Sequence, residues 1–431
     1  MRGSSRDAPM KHGLLLVVLL GACGAPPPAS APASAVPALV ASSPPAVATT
    51  ASQPAAHAEP AAPLSIEERA NRLHREAIVI DTHNDITSAI LDDGFDLGKP
   101  NGHTATDLVK MRAGGITAEF FSIFVDRAYA EHPTSAGGGS ARRALDLIDL
   151  TYRQVERYPN DLVLARTVDD VRRAKGGGKI AVMMGIEGGH AIENSLSALR
   201  DFYRLGVRYM TLTHTNTNGW ADSSGMFDPA PVKHHGLTPF GEEVVREMQR
   251  IGMLVDVSHV SDETFFDVMK TAKTPVIASH SSVRAIANLR RNVSDDMLRA
   301  LAENGGVCMV NFWPAFLDPA SMAAMRASKP LPPTPISVVV DHIDHIVAVA
   351  GIDHVGLGSD FDGVDSLPEG LSGLDELPNL TRALLERGYS DDDAKKILGE
   401  NFLRVLGAAE AYATSSGTTL SGDGDVRPFS D

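Results

Sequence analysis

Residues 78–85 read Ile-Val-Ile-Asp-Thr-His-Asn-Asp, and this stretch sets the pattern for the rest of the chain. Its first half, Ile78–Asp81, is short and mostly apolar without alternation, which predicts a parallel strand buried on both faces. Seven similar runs follow, and helical patterns such as Pro239–Ile251 and Pro335–Ala350 lie between them. The eight predicted strands are Ile78–Asp81, Ala118–Val125, Ile180–Gly185, Met210–Thr213, Leu254–Val257, Val276–Ser279, Val307–Asn311 and His354–Gly358.

Eight strand–helix units are the number found in a TIM-type (β/α)8 barrel, so the predicted fold class is α/β with this barrel. The alternative is a doubly wound open sheet. No glycine-rich phosphate loop follows any of the strands, which argues against a nucleotide-binding sheet. The barrel is predicted over residues 64–410, where Ser65 and Glu68 form a capping box that begins the first helix, and residues 411–431 are predicted to be a flexible tail.

Chemically reactive side chains stand at the carboxyl ends of these predicted strands. His83 and Asp85 follow the first strand and Glu187 the third. Three successive strands end in histidine and the last ends in an acid; these residues are His214, His259, His280 and Asp360. A single histidine in such a place is more often structural, but this repetition is harder to explain in that way. Active sites of (β/α)8 barrels lie on the face where these strand ends meet.

Five of these residues are suitable ligands for two metal ions, and they are His83, Asp85, Glu187, His259 and His280. If two ions share Glu187, each has three protein ligands and a bridging water can complete a tetrahedral site, as in catalytic zinc centres. Imidazole and carboxylate ligands suit Zn²⁺, with Mn²⁺ or Co²⁺ as alternatives. The sequence therefore predicts a hydrolytic site with two zinc ions per chain.

The composition supports a globular domain and limits its partners. Of the 431 residues, 43% are hydrophobic and 22% are charged, which is enough apolar material for a large core. The net charge of −15 argues against nucleic acid as a partner. Only Cys23 and Cys308 are present, which excludes a disulfide framework and a zinc site built from cysteines.

The N-terminus has the form of a targeting segment. Basic residues precede an apolar run at 13–20, which is shorter than the roughly 20 residues that span a bilayer. The sequence Leu20-Gly21-Ala22-Cys23 resembles a bacterial lipobox, which implies that residues 1–22 are a lipoprotein signal peptide and that the Cys23 thiol is acylated. An ordinary secretory peptide is the alternative.

Residues 23–63 are rich in Ala, Pro and Ser, which predicts a disordered tether between a lipid anchor and the barrel. The expected location is the bacterial cell envelope, on a membrane and outside the cytoplasm. A homodimer is compatible with the sequence, which does not fix the oligomeric state.

Six motifs, taken in their order and spacing, resemble the membrane (renal-type) dipeptidases, peptidase family M19, over about residues 70 to 408. The motifs are residues 80–85 (IDTHND), 185–190 (GIEGGH), 237–241 (LTPFG), 254–261 (LVDVSHVS), 279–282 (SHSS) and 358–363 (GSDFDG). The resemblance implies one zinc on His83, Asp85 and Glu187, and a second on Glu187, His259 and His280. It also implies substrate contacts from His214 and Arg291, and places Asp360 near the bridging water.

The predicted function is zinc-dependent hydrolysis of the peptide bond of dipeptides by a hydroxide that bridges the two ions. Asp360 is expected to carry the proton, and His214 to stabilise the oxyanion. The alternatives are another binuclear barrel amidohydrolase or phosphotriesterase, and a non-enzymatic surface lipoprotein. The segment after His214, residues 215–222, differs among relatives, so the resemblance does not define which dipeptides are preferred.

Overall fold

The computed structural model describes residues 64–417. The predicted signal peptide, the lipidation site Cys23, the tether at 23–63 and the tail from residue 418 onward lie outside the described residues. Between Leu64 and Gly417, no helix is both long and apolar enough to cross a bilayer.

Strands and helices alternate along the chain. The strands are β1 Ile80–Asn84, β2 Ala118–Phe124, β3 Leu162–Leu164, β4 Ile180–Glu187, β5 Val207–Thr211, β6 Leu254–Asp256, β7 Ile277–Ser281, β8 Val307–Val310 and β9 Val355–Leu357. The helices are α1 Ile66–Glu76, α2 Ile86–Asp93, α3 Leu108–Ala113, α4 Ala128–Glu131, α5 Ser140–Arg157, α6 Val168–Gly176, α7 Leu196–Arg204, α8 Pro239–Ile251, α9 Asp262–Thr271, α10 Asp295–Asn304, α11 Pro314–Leu317, α12 Pro319–Arg326, α13 Ile336–Ala350, α14 Leu377–Arg387, α15 Asp391–Lys395 and α16 Asn401–Ser415.

Eight of the strands form a parallel barrel in the order β1-β2-β4-β5-β6-β7-β8-β9. The barrel closes just beyond the ends of β1 and β9, where the Asp85 amide donates to the Phe361 carbonyl at 2.8 Å and the Asp360 amide donates to the His83 carbonyl at 3.1 Å. The predicted TIM-type fold is therefore confirmed, and the open sheet is excluded.

The observed elements differ from the prediction in several places; β5, for example, begins at Val207, three residues before the predicted start at Met210. β3 pairs only with β4, outside the order of the barrel strands, and was not predicted, because one buried and two half-buried residues give too short a pattern. The last helix, α16, continues to Ser415, beyond the predicted end of the domain at residue 410.

Local sequence explains the helices that surround the barrel. In α5, the buried residues Ala144, Leu147, Ile148 and Thr151 recur at helical spacing and cover one face. The capping box of Ser65 and Glu68 begins α1 as predicted.

Alternate residues of the strands point into the barrel and form one buried apolar cluster, which includes Phe120, Met183, Tyr209 and Met309. Phe402 of α16 belongs to the same cluster, so the C-terminal helix covers the end of the barrel opposite to the strand carboxyl ends. The interior is thus filled, and a site can form only at the other end.

Two strands carry a bulge close to their carboxyl ends. In β1, the step from Asp81 to Asn84 lies opposite the shorter step from Glu119 to Phe121 in β2. In β7, the step from Ala278 to Ser281 likewise lies opposite Cys308 to Val310 in β8. Each bulge inserts one residue, which turns the following side chain toward a different face.

Candidate active site

Glu187 lies at the centre of the cluster of side chains at the strand carboxyl ends. It follows Met183 and Gly185 at alternate positions of β4, so all three face the inside of the barrel. Gly185 is required there, because a Cβ atom would lie 2.0 Å from the Tyr209 ring. Glu187 itself is buried, and its two carboxylate oxygens face different sets of histidines.

The two oxygens divide the site into two halves. Oε2 of Glu187 lies 3.5 Å from Nε2 of His83. Oε1 lies 2.9 Å from Nε2 of His259 and 3.2 Å from Nε2 of His280. A carboxylate with one oxygen on each side has the arrangement expected of a ligand shared by two ions.

The half around His83 also contains two acids. Oδ2 of Asp85 lies 3.4 Å from Nε2 of His83, and Oδ1 of Asp360 lies 4.0 Å from the same atom. Asp85 is placed by the beginning of α2 rather than by strand alternation, since β1 ends at Asn84. Among the residues from 64 to 417, Nε2 of His83 and Oδ1 of Asp85 are buried without a hydrogen-bond partner.

These distances fit metal coordination. In a tetrahedral zinc site with bonds of about 2.0–2.1 Å, neighbouring ligand atoms are about 3.3–3.4 Å apart. The distances from Nε2 of His83 to Asp85 and Glu187, 3.4 and 3.5 Å, are close to this value, whereas Nε2 of His259 and Nε2 of His280 are closer together, at 2.9 Å. Groups of three potential ligands within this cluster lie close enough to hold an ion: His83 with Glu187 and His280, Glu187 with His214 and His259, and His83 with Asp85 and Asp360.

Hydroxyl groups behind two of the histidines fix which ring nitrogen faces the cluster. The Tyr209 hydroxyl donates to the Thr82 carbonyl at 3.0 Å, so it accepts from Nδ1 of His83 at 2.8 Å. Ser279 Oγ donates to Asp256 at 2.6 Å and accepts from Nδ1 of His280 at 2.8 Å. In both cases Nδ1 carries a proton and donates away from the cluster, so Nε2 is the nitrogen that faces the cluster as a potential metal ligand.

Unusual backbone geometry places the histidines. The bulges in β1 and β7 occur at His83 and His280, and each turns an imidazole into the barrel mouth. His259 adopts a left-handed φ of 67°, which is rare for a residue with a side chain. Its carbonyl is held by the Ser224 amide at 2.8 Å and by the Thr213 hydroxyl at 3.0 Å.

The electrostatics favour a bound cation. Burial lowers the pKa of His259 and His280 well below the usual value, so both rings are neutral. Burial raises the pKa of Glu187 to about 7, although His83 opposes this effect. Burial also lowers the pKa of His83, but Tyr209, Glu187 and Asp85 outweigh it and raise the pKa well above its usual range. The acidic side chains of Glu187 and Asp85 thus stabilise a positive charge at the position of His83.

His214 lies at the edge of the cluster. Its Nε2 is 3.9 Å from Oε1 of Glu187, and its ring packs edge-on against Phe124 with 4.9 Å between ring centres. Burial lowers the pKa of His214 to about 3, so the ring is neutral and can donate or accept a hydrogen bond at the mouth of the barrel.

Arg291 lies next to the half of the site that contains His280. Its guanidinium donates to Ser281 Oγ and to the His280 carbonyl, both at 2.7 Å, and its terminal carbon lies 5.3 Å from the centre of the Phe316 ring. Burial lowers the pKa of Arg291 to about 10, which still leaves the side chain charged. The structure therefore brings Arg291 against the strand that carries His280.

Asp360 lies on the far side of His83, in the loop after β9. It has a left-handed φ of 65°, and its Oδ2 accepts from Asn311 Nδ2 at 2.8 Å. Burial raises the pKa of this carboxyl, which suits a group that takes up and releases a proton.

Comparison with known proteins adds a decisive observation. Residues 67–419 match the family described as membrane dipeptidase (peptidase family M19). The chain belongs to this family. This M19 protein is a hydrolase that acts on dipeptides with the help of a divalent metal, as the sequence motifs predicted.

Individual relatives agree. The M19 chain is 38% identical over 364 residues to an uncharacterized dipeptidase of Schizosaccharomyces pombe, covering 80% of this chain and 84% of that protein. It resembles the crystal structure of a probable dipeptidase from Pseudomonas aeruginosa with a TM-score of 0.72 and 27% identity, over 81% of this chain and 99% of the other. A metallopeptidase from Rhodobacter sphaeroides, liganded with a phosphinate mimic of the dipeptide L-Ala-D-Ala, matches with a TM-score of 0.69 and 27% identity, over 78% and 100%.

Several residues that shape the site of this M19 protein were not identified from the sequence. They are Tyr209, Asp256, Ser279 and Asn311, which orient His83, His280 and Asp360. The serine adjoins a predicted ligand and the aspartate lies on a predicted strand, but only the fold shows which atoms they contact. The ligand roles assigned to the predicted residues stay predictions.

Proposed function

We propose that the protein hydrolyses dipeptides at a site that holds two zinc ions. One ion would be held by His83, Asp85 and Glu187, and the other by Glu187, His259 and His280. The observation that carries this proposal is that the two carboxylate oxygens of Glu187 face different histidines. Oε2 faces His83, and Oε1 faces His259 and His280. When bound, the ions would activate a water molecule and polarise the scissile carbonyl.

The surrounding residues would do the rest of the chemistry. Asp360 can take the proton of the attacking water at its Oδ1 atom, because Asn311 already occupies Oδ2. It can then deliver that proton to the departing amine. His214 lies on the opposite side of Glu187 and can donate a hydrogen bond to the oxygen that becomes negative during attack.

Arg291 is proposed to bind the terminal carboxylate of the dipeptide. Two of its nitrogens are used by Ser281 and the His280 carbonyl, whereas Nε is buried without a partner within the described part of the chain. A positive charge at this depth favours a small substrate whose carboxylate lies close to the scissile bond.

Two measurements test the function. Purified protein supplied with zinc should contain close to two zinc ions, and removing them with a chelator should abolish dipeptide hydrolysis, which zinc then restores. Dipeptides should be cleaved much faster than N-acetylated dipeptides or tripeptides, because both charged termini would be bound. Comparable rates on all three would instead favour a general amidohydrolase, and an ester and a phosphotriester complete the panel.

We further propose that the enzyme is a lipoprotein of the bacterial cell envelope, anchored through Cys23. The sequence Leu20-Gly21-Ala22-Cys23, which resembles a lipobox, and the Ala-, Pro- and Ser-rich composition of residues 23–63 support this proposal. A tether of this composition would hold the barrel away from the membrane surface and leave its mouth accessible to peptides.

A further inference from the structure

Asp256 is a buried carboxylate in the motif at residues 254–261, but no role in the site was predicted for it from the sequence. It ends β6, is completely buried, and receives four hydrogen bonds. The donors are the amides of Ser258 and Ser279, at 3.0 and 2.8 Å, and the hydroxyls of Ser279 and Thr211, at 2.6 and 2.5 Å. Four donors fill the acceptor positions of a carboxylate, so the group is held rigidly.

Ser279 connects this carboxylate to the predicted metal site. Its hydroxyl proton points to Asp256, so its oxygen accepts from Nδ1 of His280. The same residue lies in the bulge of β7, and Asp256 binds both its amide and its hydroxyl. Asp256 therefore fixes one residue of the bulge, Ser279, as well as the orientation of the His280 ring.

The other two histidines differ from His280. The hydroxyl behind His83 belongs to Tyr209 and leads to a neutral backbone carbonyl. Nδ1 of His259 is buried without a hydrogen-bond partner among residues 64–417. Of these three histidines, only His280 has an Nδ1 atom that is connected to a buried carboxylate by hydrogen bonds, through Ser279 to Asp256, within the described residues.

We propose that Asp256 and Ser279 are positioning residues that act through His280 on one of the two ions. This proposal rests on the two-ion site described above. A carboxylate behind a ligating imidazole fixes its tautomer and makes Nε2 a stronger donor, and loss of such a partner weakens metal affinity by about 10–100-fold. The ion held by His259 and His280 should depend on Asp256 and Ser279, whereas the ion held by His83 and Asp85 should not.

Ser279→Ala tests the proposal, and Thr211→Ala is its matched control. Both variants remove one hydroxyl from Asp256, but only Ser279 also contacts a histidine. Metal-free full-length protein is titrated with zinc in competition with a chromophoric chelator, which yields two dissociation constants. Thermal unfolding of the metal-free forms shows whether both variants remain folded.

We expect Ser279→Ala to weaken one zinc ion by about 10–100-fold and to leave the other close to the wild-type value. Thr211→Ala should leave both close to wild type. Asp256→Asn, which retains the shape and removes the charge, should weaken the same single ion. Equal behaviour of the Ser279 and Thr211 variants, or equal weakening of both ions, overturns the proposal. A wild-type protein that binds fewer than two ions refutes the two-ion site instead.

Discussion

Replacing Glu187 by alanine should weaken both metal ions at once. Its Oε2 is 3.5 Å from Nε2 of His83, and its Oε1 is within 3.2 Å of Nε2 of both His259 and His280. Each ion would therefore lose one of three protein ligands. By comparison, His280→Ala would remove a ligand from only one of the two proposed ions, since Oε2 of Glu187 and the residues around His83 remain in place.

The size of the effect follows from the energy of a zinc site. Structural zinc with four ligands is bound with about 10–16 kcal/mol, or about 2.5–4 kcal/mol for each ligand. Loss of one ligand should then raise the dissociation constant by about 10²- to 10³-fold. Glu187→Ala should show this change for both ions, and His280→Ala for one.

The assay is zinc titration of the metal-free protein against a chelator, combined with elemental analysis. The metal-free variant should remain folded, because burial raises the pKa of Glu187 and its charge is unfavourable without a cation. If Glu187→Ala retains one ion at wild-type affinity, Glu187 is not shared and the division of the site into two halves is wrong.

Three further outcomes are expected. Asp360→Asn should retain zinc while kcat falls by about 10²–10⁴-fold; loss of zinc would instead make Asp360 a ligand. Burial and the neighbouring Asp81 raise the pKa of Glu119 well above 4.5. The folded protein therefore keeps the Glu119 carboxyl protonated at pH values where the unfolded chain releases this proton, so the free energy of unfolding falls as pH rises above about 4.5. Urea unfolding should therefore show Glu119→Gln gaining stability over wild type between pH 5 and pH 8, unlike the exposed control Glu67→Gln, and a constant difference would contradict this. Cys23→Ala should release the protein from membranes with unchanged dipeptide hydrolysis, whereas continued membrane attachment would argue against lipidation at this residue.

The sequence was sufficient to predict the barrel and the place of the site. Apolar runs of suitable length repeat eight times, and the carboxyl ends of barrel strands meet on one face whatever the details of register. His83, Asp85, Glu187, His259 and His280 therefore had to lie near one another once the fold was correct.

Local geometry could not be predicted in the same way. His83 and Asp85 were predicted to follow the first strand, but the structure brings them together through a bulge in β1 and the beginning of α2. A bulge depends on hydrogen bonds to a neighbouring strand that is distant in sequence, so no local pattern reveals it. The contacts of Tyr209 with His83 and of Asp256 with Ser279 are of the same kind.

His259, Asp360 and Asp362 all have left-handed backbone angles, with φ values of 67°, 65° and 64°. For a residue with a side chain this conformation costs about 1–2 kcal/mol, and glycine would remove the cost. Laboratory evolution that selects only for thermal stability should therefore accumulate glycine at these three positions and yield barrels that are more stable but inactive. Two of the three, His259 and Asp360, lie in the proposed site, so this conformational cost falls on side chains that the proposed chemistry needs.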